Sequence, residues 1–247
     1  MTFEKIKQLK NNKLIKRIMY VLLAFTILLY LKLFFSTGVY YDDSFLKKVN
    51  MSDETQYIGK SRQGDIQIAV KGWANIKRES SAEVMFNLPN NLYEQYTVNF
   101  SDEEEYFLGN VEIKKNDKVI FKGKYQQGSM FLYDMNNEPI IEGLTFSISD
   151  DKNEVRYDDN YRIPLISIVH FALHENETMR GNGAMLFAAV ILIFFTFIDF
   201  KYPLFFFELR HSFEVEDPKP TEFYITMQRL SWGINSTIVL VLLLMAI

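Results

Sequence analysis

The 247-residue sequence contains no cysteine. This absence excludes a disulfide framework, a thiolate nucleophile and a cysteine-ligated zinc site. Histidine is scarce as well, at three residues, and no glycine-rich phosphate-binding loop or GxSxG nucleophile elbow occurs. The sequence therefore gives no support to several common enzyme classes, and we predict a non-catalytic protein with no catalytic residues and no cofactor.

Long apolar runs are concentrated at the two ends of the chain. Segments 18–36 and 184–200 are almost continuously apolar, and a third run covers the end of segment 222–247. At about 1.5 Å per residue, 18 helical residues span roughly 27 Å, which is close to the hydrocarbon thickness of a bilayer. We predict three transmembrane helices over these segments. A cleaved signal peptide is the alternative for the first segment, although its apolar run is longer than usual.

Charge is distributed unevenly along the chain, and this predicts the orientation in the membrane. Residues 1–17 carry a net charge of +5, whereas residues 37–183 contain 16 basic and 24 acidic residues and carry −8. By the positive-inside rule, 1–17 is a cytoplasmic segment and 37–183 is extracytoplasmic, in a multi-pass protein of the cell membrane. The basic residues run directly into a membrane span, so we predict no nucleic-acid partner.

Segment 40–162 has the pattern of strands. Apolar and polar residues alternate in several short runs, such as 65–71, 82–88, 109–115 and 144–149, with turn residues between them. This pattern favours about seven or eight strands in an antiparallel sheet or sandwich. Segment 163–178 changes to helical spacing and predicts an amphipathic helix. The expected fold is thus α+β, with a β-rich domain inserted between transmembrane helices 1 and 2.

Two histidines on the predicted amphipathic helix are weak candidates for metal ligands. His170 and His174 are four residues apart, a spacing that places both imidazoles on one helical face. The pattern is HxxxHE rather than HExxH, and no third ligand is evident. Acidic clusters at 102–105, 150–151 and 158–159 lack the spacing of a calcium-binding loop. We therefore predict no metal site and interpret the histidines as interfacial or partly buried.

The loop between the last two spans, 201–221, contains the most distinctive local motif. An aromatic and basic segment that begins at Pro203 is followed by Asp-Pro-Lys-Pro-Thr-Glu at 217–222. The two prolines interrupt the helix, and Thr221 and Glu222 restart one as N-cap and first-turn residues. The segment 184–247 resembles a small two-helix module of unknown function in bacterial membrane proteins. The resemblance implies a structural or docking loop formed by Arg210, Asp217, Pro218, Pro220, Thr221, Glu222, Tyr224 and Arg229.

The sequence predicts a non-catalytic integral membrane protein of the bacterial cell envelope. Its extracytoplasmic β domain would bind or sense a ligand, and its helical hairpin would serve as an anchor or dock a partner. The expected partners are the lipid bilayer and either another membrane protein or a cell-envelope ligand. An envelope enzyme that binds a metal through His170 and His174 is the alternative, and an accessory subunit of a transporter is the third hypothesis.

Overall fold

The computed structural model describes residues 13–74, 79–101, 108–141, 157–158, 161–211 and 219–247. The chain divides into two compact units. The sheet unit comprises Thr37–Thr178, and the helical unit comprises Met1–Ser36 together with Met179–Ile247. The predicted strand at 144–149 and the acidic clusters at 102–105 and 150–151 lie outside the described residues, as does Asp159.

Among its described residues, the sheet unit has ten strands that follow one another in both sequence and space. Each strand pairs in antiparallel fashion with the next, so the order across the sheet runs from β10 to β1. A further two-residue strand, β11 (Thr178–Met179), lies at the boundary of the two units. The ten strands are β1 (Thr37–Tyr41), β2 (Ser44–Asn50), β3 (Glu54–Ser61), β4 (Gly64–Trp73), β5 (Ser80–Leu88), β6 (Leu92–Ser101), β7 (Leu108–Lys115), β8 (Lys118–Gln126), β9 (Leu132–Tyr133) and β10 (Pro139–Ile140).

Short turns built from asparagine and aspartate fix the register of several hairpins. Asp42 and Asp43 join β1 to β2, and both have positive φ values, of 46° and 61°. Asn116 and Asp117 join β7 to β8 in the same way, with φ values of 50° and 60°. A two-residue turn with two left-handed residues matches the twist of the flanking strands, and Asn and Asp tolerate this conformation best.

The core lies on one face of the sheet, where the strands pack against a helix, αS (Leu165–Ala172). Ile168, Val169, Phe171 and Ala172 of αS are buried. The Phe171 ring contacts Tyr41 of β1, Tyr57 of β3 and Phe86 of β5, at centroid distances of 5.8, 5.2 and 5.7 Å. One aromatic side chain of the helix therefore packs against three strands, which explains why the alternating residues of these strands are apolar on that face.

The described strands form one continuous antiparallel sheet, and αS packs on one face of it. The helix predicted over 163–178 covers Leu165–Ala172 only. It ends there because Leu173 is the C-cap and His174 has a left-handed φ of 54°. The prediction of an antiparallel sheet combined with three apolar helices is confirmed.

The described part of the helical unit contains four helices, three of which are long and apolar enough to cross a membrane. These three have 22, 19 and 24 residues and mean hydropathies of 2.0, 2.3 and 1.3. The fourth is a short helix in the loop between the last two. In chain order the helices are αA (Lys13–Phe34), αB (Gly183–Lys201), αC (Phe205–His211) and αD (Glu222–Met245).

Two of these helices begin at side-chain caps. The Asn182 side chain accepts hydrogen bonds from the backbone N–H groups of Ala184 and Met185, at 3.0 and 3.2 Å. The Thr221 hydroxyl accepts one from the N–H of Tyr224 at 3.2 Å. A cap of this kind satisfies donors that have no partner within the helix. The predicted N-cap role of Thr221 is therefore confirmed.

One end of the helical unit is held together by backbone hydrogen bonds. The N–H of Arg180 donates to Ser36 O and that of Gly181 donates to Phe34 O, both at 2.9 Å. The N–H of Asn182 donates to Ala246 O, also at 2.9 Å. A Cβ atom at Gly181 would lie 2.3 Å from the Phe34 ring, so this close approach requires glycine. The segment before αB thus joins the end of αA to the end of αD.

Candidate functional sites

The turn that follows αS gathers most of the ionisable side chains of the inner sheet region. Residues 170–177 supply two histidines and two glutamates, and strands β2, β3 and β8 supply a lysine and two tyrosines. We call this group the exit-turn cluster. It consists of Lys48, Tyr57, Tyr125, His170, His174, Glu175 and Glu177. The cluster has two halves, one around His170 and Glu175 and the other around His174 and Glu177.

His170 belongs to the half that contacts β8. Its Nε2 lies 3.1 Å from the carbonyl oxygen of Ser129, and its Nδ1 lies 2.9 Å from the side-chain nitrogen of Asn176. A carbonyl only accepts, so Nε2 donates to Ser129; an amide nitrogen only donates, so Nδ1 accepts from Asn176. Both ring nitrogens are therefore used, and the tautomer is set by the partners. This imidazole has no lone pair available for a metal ion.

Glu175 lies beside His170 and is bound by β8 and the turn after it. The Tyr125 hydroxyl donates to Glu175 Oε2, and the N–H of Gly128 donates to the same oxygen at 3.4 Å. Burial and this contact with the carboxylate raise the pKa of Tyr125 well above its usual range. The other oxygen, Oε1, is buried and has no partner among the described residues. Hydrogen bonds from one side thus tie the exit turn to β8.

His174 belongs to the half that contacts β2 and β3. The Tyr57 hydroxyl lies 2.7 Å from Glu177 Oε1 and 2.8 Å from His174 Nδ1. Its single proton goes to the carboxylate, which only accepts, so Nδ1 of His174 is the donor in the second contact. The ammonium group of Lys48 pairs with the same Glu177 oxygen at 2.7 Å. A chain of hydrogen bonds therefore connects a lysine, a glutamate, a tyrosine and a histidine.

The electrostatics of this half favour a neutral imidazole. Burial lowers the pKa of His174, and the Lys48 charge lowers it further, while the Glu177 carboxylate acts in the opposite direction. For Tyr57, burial and the hydrogen bond to Glu177 raise the pKa well above its usual range. At neutral pH the group thus consists of a neutral histidine, a neutral tyrosine and a lysine–glutamate ion pair.

The positions of the two histidines bear on the alternative hypothesis that His170 and His174 bind a metal together. The prediction that His170 and His174 share one helical face is wrong, because αS ends at Ala172 and the left-handed backbone of His174 redirects its side chain. The His170 imidazole binds the carbonyl of Ser129, which follows β8, and the His174 imidazole binds Tyr57 of β3. No group of three His, Cys, Asp or Glu side chains suited to a metal occurs in the described part of the chain.

A second polar group surrounds the turn between β1 and β2. Asp42, in the turn between β1 and β2, accepts hydrogen bonds from Tyr157 and Tyr161 at 3.0 and 2.9 Å. The hydroxyls of Tyr41 and Tyr161 lie 3.0 Å apart. Sequence reasoning did not identify these tyrosines, because they come together only through the fold. Their contacts fix the segment before αS to the first hairpin.

Six of the eight predicted docking-loop residues lie in the described part of the helical unit. Arg210 is exposed on αC, and Pro220 directly precedes the Thr221 cap. Glu222, Tyr224 and Arg229 lie in the first two turns of αD. The Tyr224 ring packs on Phe207 of αC at 4.9 Å. Asp217 and Pro218 lie outside the described residues.

A polar cluster that the sequence did not reveal joins αB to αD. The Asp199 carboxylate accepts from the Gln228 side chain at 2.8 Å and from the Trp232 indole N–H at 2.6 Å. The Phe200 and Trp232 rings pack edge to face at 5.1 Å. From sequence, Asp199 marked only the end of a span. Gln228 and Trp232 are separated by four residues and so lie on one face of αD.

A wide open pocket of about 360 Å³, called the cavity below, adjoins this cluster. It is lined by Phe195, Thr196 and Asp199 of αB, by Phe206 of αC and by Asn235 of αD. The Thr196 hydroxyl oxygen is buried and has no hydrogen-bond partner within the described residues. A buried hydroxyl without a partner costs about 1–3 kcal/mol, so this cavity combines aromatic walls with an unsatisfied polar group.

The C-terminal part of the chain is similar to a known family. Residues 188–247 match the model of a family of unknown function, DUF6199. This agrees with the resemblance of segment 184–247 to a module of unknown function. All five residues that line the cavity fall inside the matched segment. No curated protein and no solved structure matches the chain.

Proposed function

We propose that the chain is a non-catalytic membrane protein of the bacterial cell envelope, whose sheet unit lies outside the cytoplasm and binds a partner there. The proposal rests first on chain order. The sheet unit is inserted between αA and αB, two of the three helices that are apolar enough to span a membrane. The net charges of +5 before αA and −8 over 37–183 support a cytoplasmic N-terminus.

The binding role is supported by the hydrogen bonds that the ionisable side chains of the exit-turn cluster make within the protein. His170 bonds the carbonyl of Ser129 after β8, Glu175 accepts from Tyr125 of β8, and Glu177 accepts from Tyr57 of β3. These contacts hold the turn in place, which is a structural task. A catalytic site needs a nucleophile or base whose reactive atom faces an open volume. A binding module requires only a stable scaffold with an accessible surface.

The outer face of the sheet is the surface that remains for a partner. The inner face is filled by αS and by side chains such as Val84, Phe86 and Val98, all fully buried. The outer face is polar and carries hydrogen-bonded pairs, including Ser81 with Asn99 and Gln67 with Gln56. A partner would therefore contact amide and hydroxyl side chains together with exposed aromatics such as Tyr93.

A photocrosslinking experiment in intact cells tests the binding role. Tyr93 of β6 is 59% exposed and Tyr202, after αB, is 55% exposed, so the two form a matched pair in different units. A photoreactive phenylalanine analogue replaces each in turn in the full chain. We expect a discrete crosslinked product from position 93. A product from position 202 alone would transfer the docking role to the helical unit, and no product from either would contradict binding.

The orientation needs its own measurement, and the absence of native cysteine makes it clean. Single cysteines at Lys60, Glu208 and Ile247 place probes in the sheet unit, in αC and after αD. A membrane-impermeant thiol reagent added to cells should label positions 60 and 247 and leave position 208 unlabelled until the membrane is opened. Labelling of position 208 in intact cells, or protection of position 60, would overturn the extracytoplasmic placement.

A further inference from the structure

The hydroxyl groups of the membrane-spanning helices follow one rule, with one exception. Serine and threonine in such helices usually donate to the carbonyl three or four residues earlier. Thr26 of αA donates to Leu22 O at 2.9 Å, and Thr237 of αD donates to Gly233 O at 3.1 Å. The other hydroxyls of αD behave in the same way, namely Thr226, Ser231 and Ser236.

Thr196 of αB is the exception in the described part of these helices. Its hydroxyl is buried and makes no hydrogen bond. The residue lines the cavity between αB, αC and αD, and so does Asp199, one turn further along αB. A donor group that reaches this hydroxyl oxygen would satisfy it, since the described residues supply no partner for it.

Asp199 determines the charge that the cavity prefers. Its two oxygens accept from Gln228 and Trp232, which are both neutral, and it has no ion pair with any described residue. The nearest cation in sequence, Lys201, lies over the rings of Phe197 and Tyr202 at 5.9 and 5.3 Å. An anionic group in apolar surroundings is stabilised by a cation that also donates hydrogen bonds.

The walls and volume of the open pocket suit a small cationic group. Phe195 and Phe206 supply two rings with centroids 6.0 Å apart, and aromatic faces attract cations. A volume of about 360 Å³ is small for a peptide helix and sufficient for a lipid headgroup. Asp199 lies two residues before the end of αB, and in a membrane-spanning αB this position is close to the headgroups.

We propose that the cavity lined by Thr196, Asp199 and Asn235 binds a primary ammonium group, as carried by phosphatidylethanolamine in the surrounding bilayer. The ammonium donates to the Asp199 carboxylate and to the Thr196 oxygen, and the Asn235 amide supplies a further acceptor. Phe195 and Phe206 contact the methylene groups of the headgroup. A primary ammonium has three N–H donors, one for each of these polar side chains.

Trp232 provides a direct readout, because its indole N–H donates to Asp199. The full chain, with Trp73 replaced by phenylalanine so that one tryptophan remains, is reconstituted in nanodiscs of phosphatidylcholine with increasing phosphatidylethanolamine. We expect a saturable change in Trp232 emission. Phosphatidylcholine carries a cation without N–H donors, and phosphatidylglycerol carries no cation. An equal response to phosphatidylglycerol, or no response to phosphatidylethanolamine, would overturn the proposal.

Two variants and one control separate binding from folding. Asp199→Asn keeps the shape and loses the charge, and we expect the midpoint of the titration to rise at least tenfold. Thr196→Val removes a hydroxyl that has no partner, so folding is retained while the midpoint rises about fivefold. Glu208→Gln, on the exposed face of αC, is the control and should leave the midpoint unchanged. Midpoints equal to the control in both variants would refute the assignment.

A final arm distinguishes the source of the ammonium group. Soluble ethanolamine is added to nanodiscs that contain phosphatidylcholine alone. The same saturable change, lost in Asp199→Asn, would support ammonium recognition and identify a free amine as a sufficient ligand. A change with phosphatidylethanolamine and none with ethanolamine would support the lipid as the source, because the acyl chains then hold the headgroup at the cavity.

Discussion

The hydroxyl of Tyr57 is the central atom of one half of the exit-turn cluster, and its removal gives the sharpest test of the structure. Tyr57→Phe leaves a fully buried ring in place and deletes two hydrogen bonds, of 2.7 Å to Glu177 and 2.8 Å to His174. A hydrogen bond to a charged group contributes about 1.5–3 kcal/mol and one between neutral groups about 0.5–1.5 kcal/mol.

The expected loss lies below the sum of these two values. Glu177 keeps its contact with Lys48 at 2.7 Å, and the side chains of Glu177 and His174 are 27% and 29% exposed, so water reaches both. Neither side chain is therefore left buried without a hydrogen-bond partner. We therefore expect Tyr57→Phe to lower the free energy of unfolding of the sheet unit by about 2 kcal/mol.

The assay is urea unfolding of the full chain in detergent, followed by the fluorescence of Trp73 in β4 with Trp232 replaced by phenylalanine. Tyr93→Phe is the matched control, because that side chain is 59% exposed; we expect a change below about 0.5 kcal/mol. A double-mutant cycle with Glu177→Gln should give a coupling of about 1 kcal/mol or more. Equal stability of Tyr57→Phe and Tyr93→Phe would refute the hydrogen-bond reasoning.

Three further outcomes follow from particular contacts. The pKa of His174 is lower in the folded protein than in the unfolded chain, so the unfolded chain binds more protons between the two pKa values. The sheet unit should therefore lose stability as pH falls below about 6.5. In His174→Gln, the urea midpoint of unfolding should lose this part of its dependence on pH. Gly181→Ala should lower the free energy of unfolding by about 1–3 kcal/mol, because the new Cβ would meet the Phe34 ring. The slow amide hydrogen exchange expected at 180–182 should then be lost. Gly183→Ala is the control, because a Cβ there meets open space, and it should change neither quantity. Thr221→Ala should cost about 1 kcal/mol and accelerate amide exchange in the first turn of αD.

The elements that sequence predicted well are those with a strong local signal. The three apolar runs correspond to αA, αB and αD, although αA begins at Lys13 rather than at residue 18. The apolar run marks bilayer depth, whereas lysine and arginine are good helix formers and extend the helix beyond it. The turn at Asn116 and Asp117 and the Thr221 cap depend on the chemistry of single residues, which is visible without the fold.

The candidate sites depended on information that is not local. Tyr57 and Tyr125 are 117 and 50 residues from their partners His174 and Glu175. Their positions are set by the register of hairpins and by the packing of αS, and neither is encoded near the exit turn. The helical period also misled the prediction at His174, because a periodic pattern does not reveal where a C-cap ends the helix. His174 follows the C-cap Leu173 and has a left-handed φ, so its side chain does not lie on the same helical face as His170.

Asp199 shows how the same side chain acquires a different meaning once its neighbours are known. In sequence it is the polar end of an apolar run, a position where a carboxylate is solvated at the interface. In the structure it accepts two hydrogen bonds from αD and borders a cavity beside Thr196. Two neutral donors fix the orientation of the carboxylate without neutralising it. The hairpin therefore holds a carboxylate whose orientation is fixed by two donors of αD, and this geometry is the basis of the proposed ammonium binding.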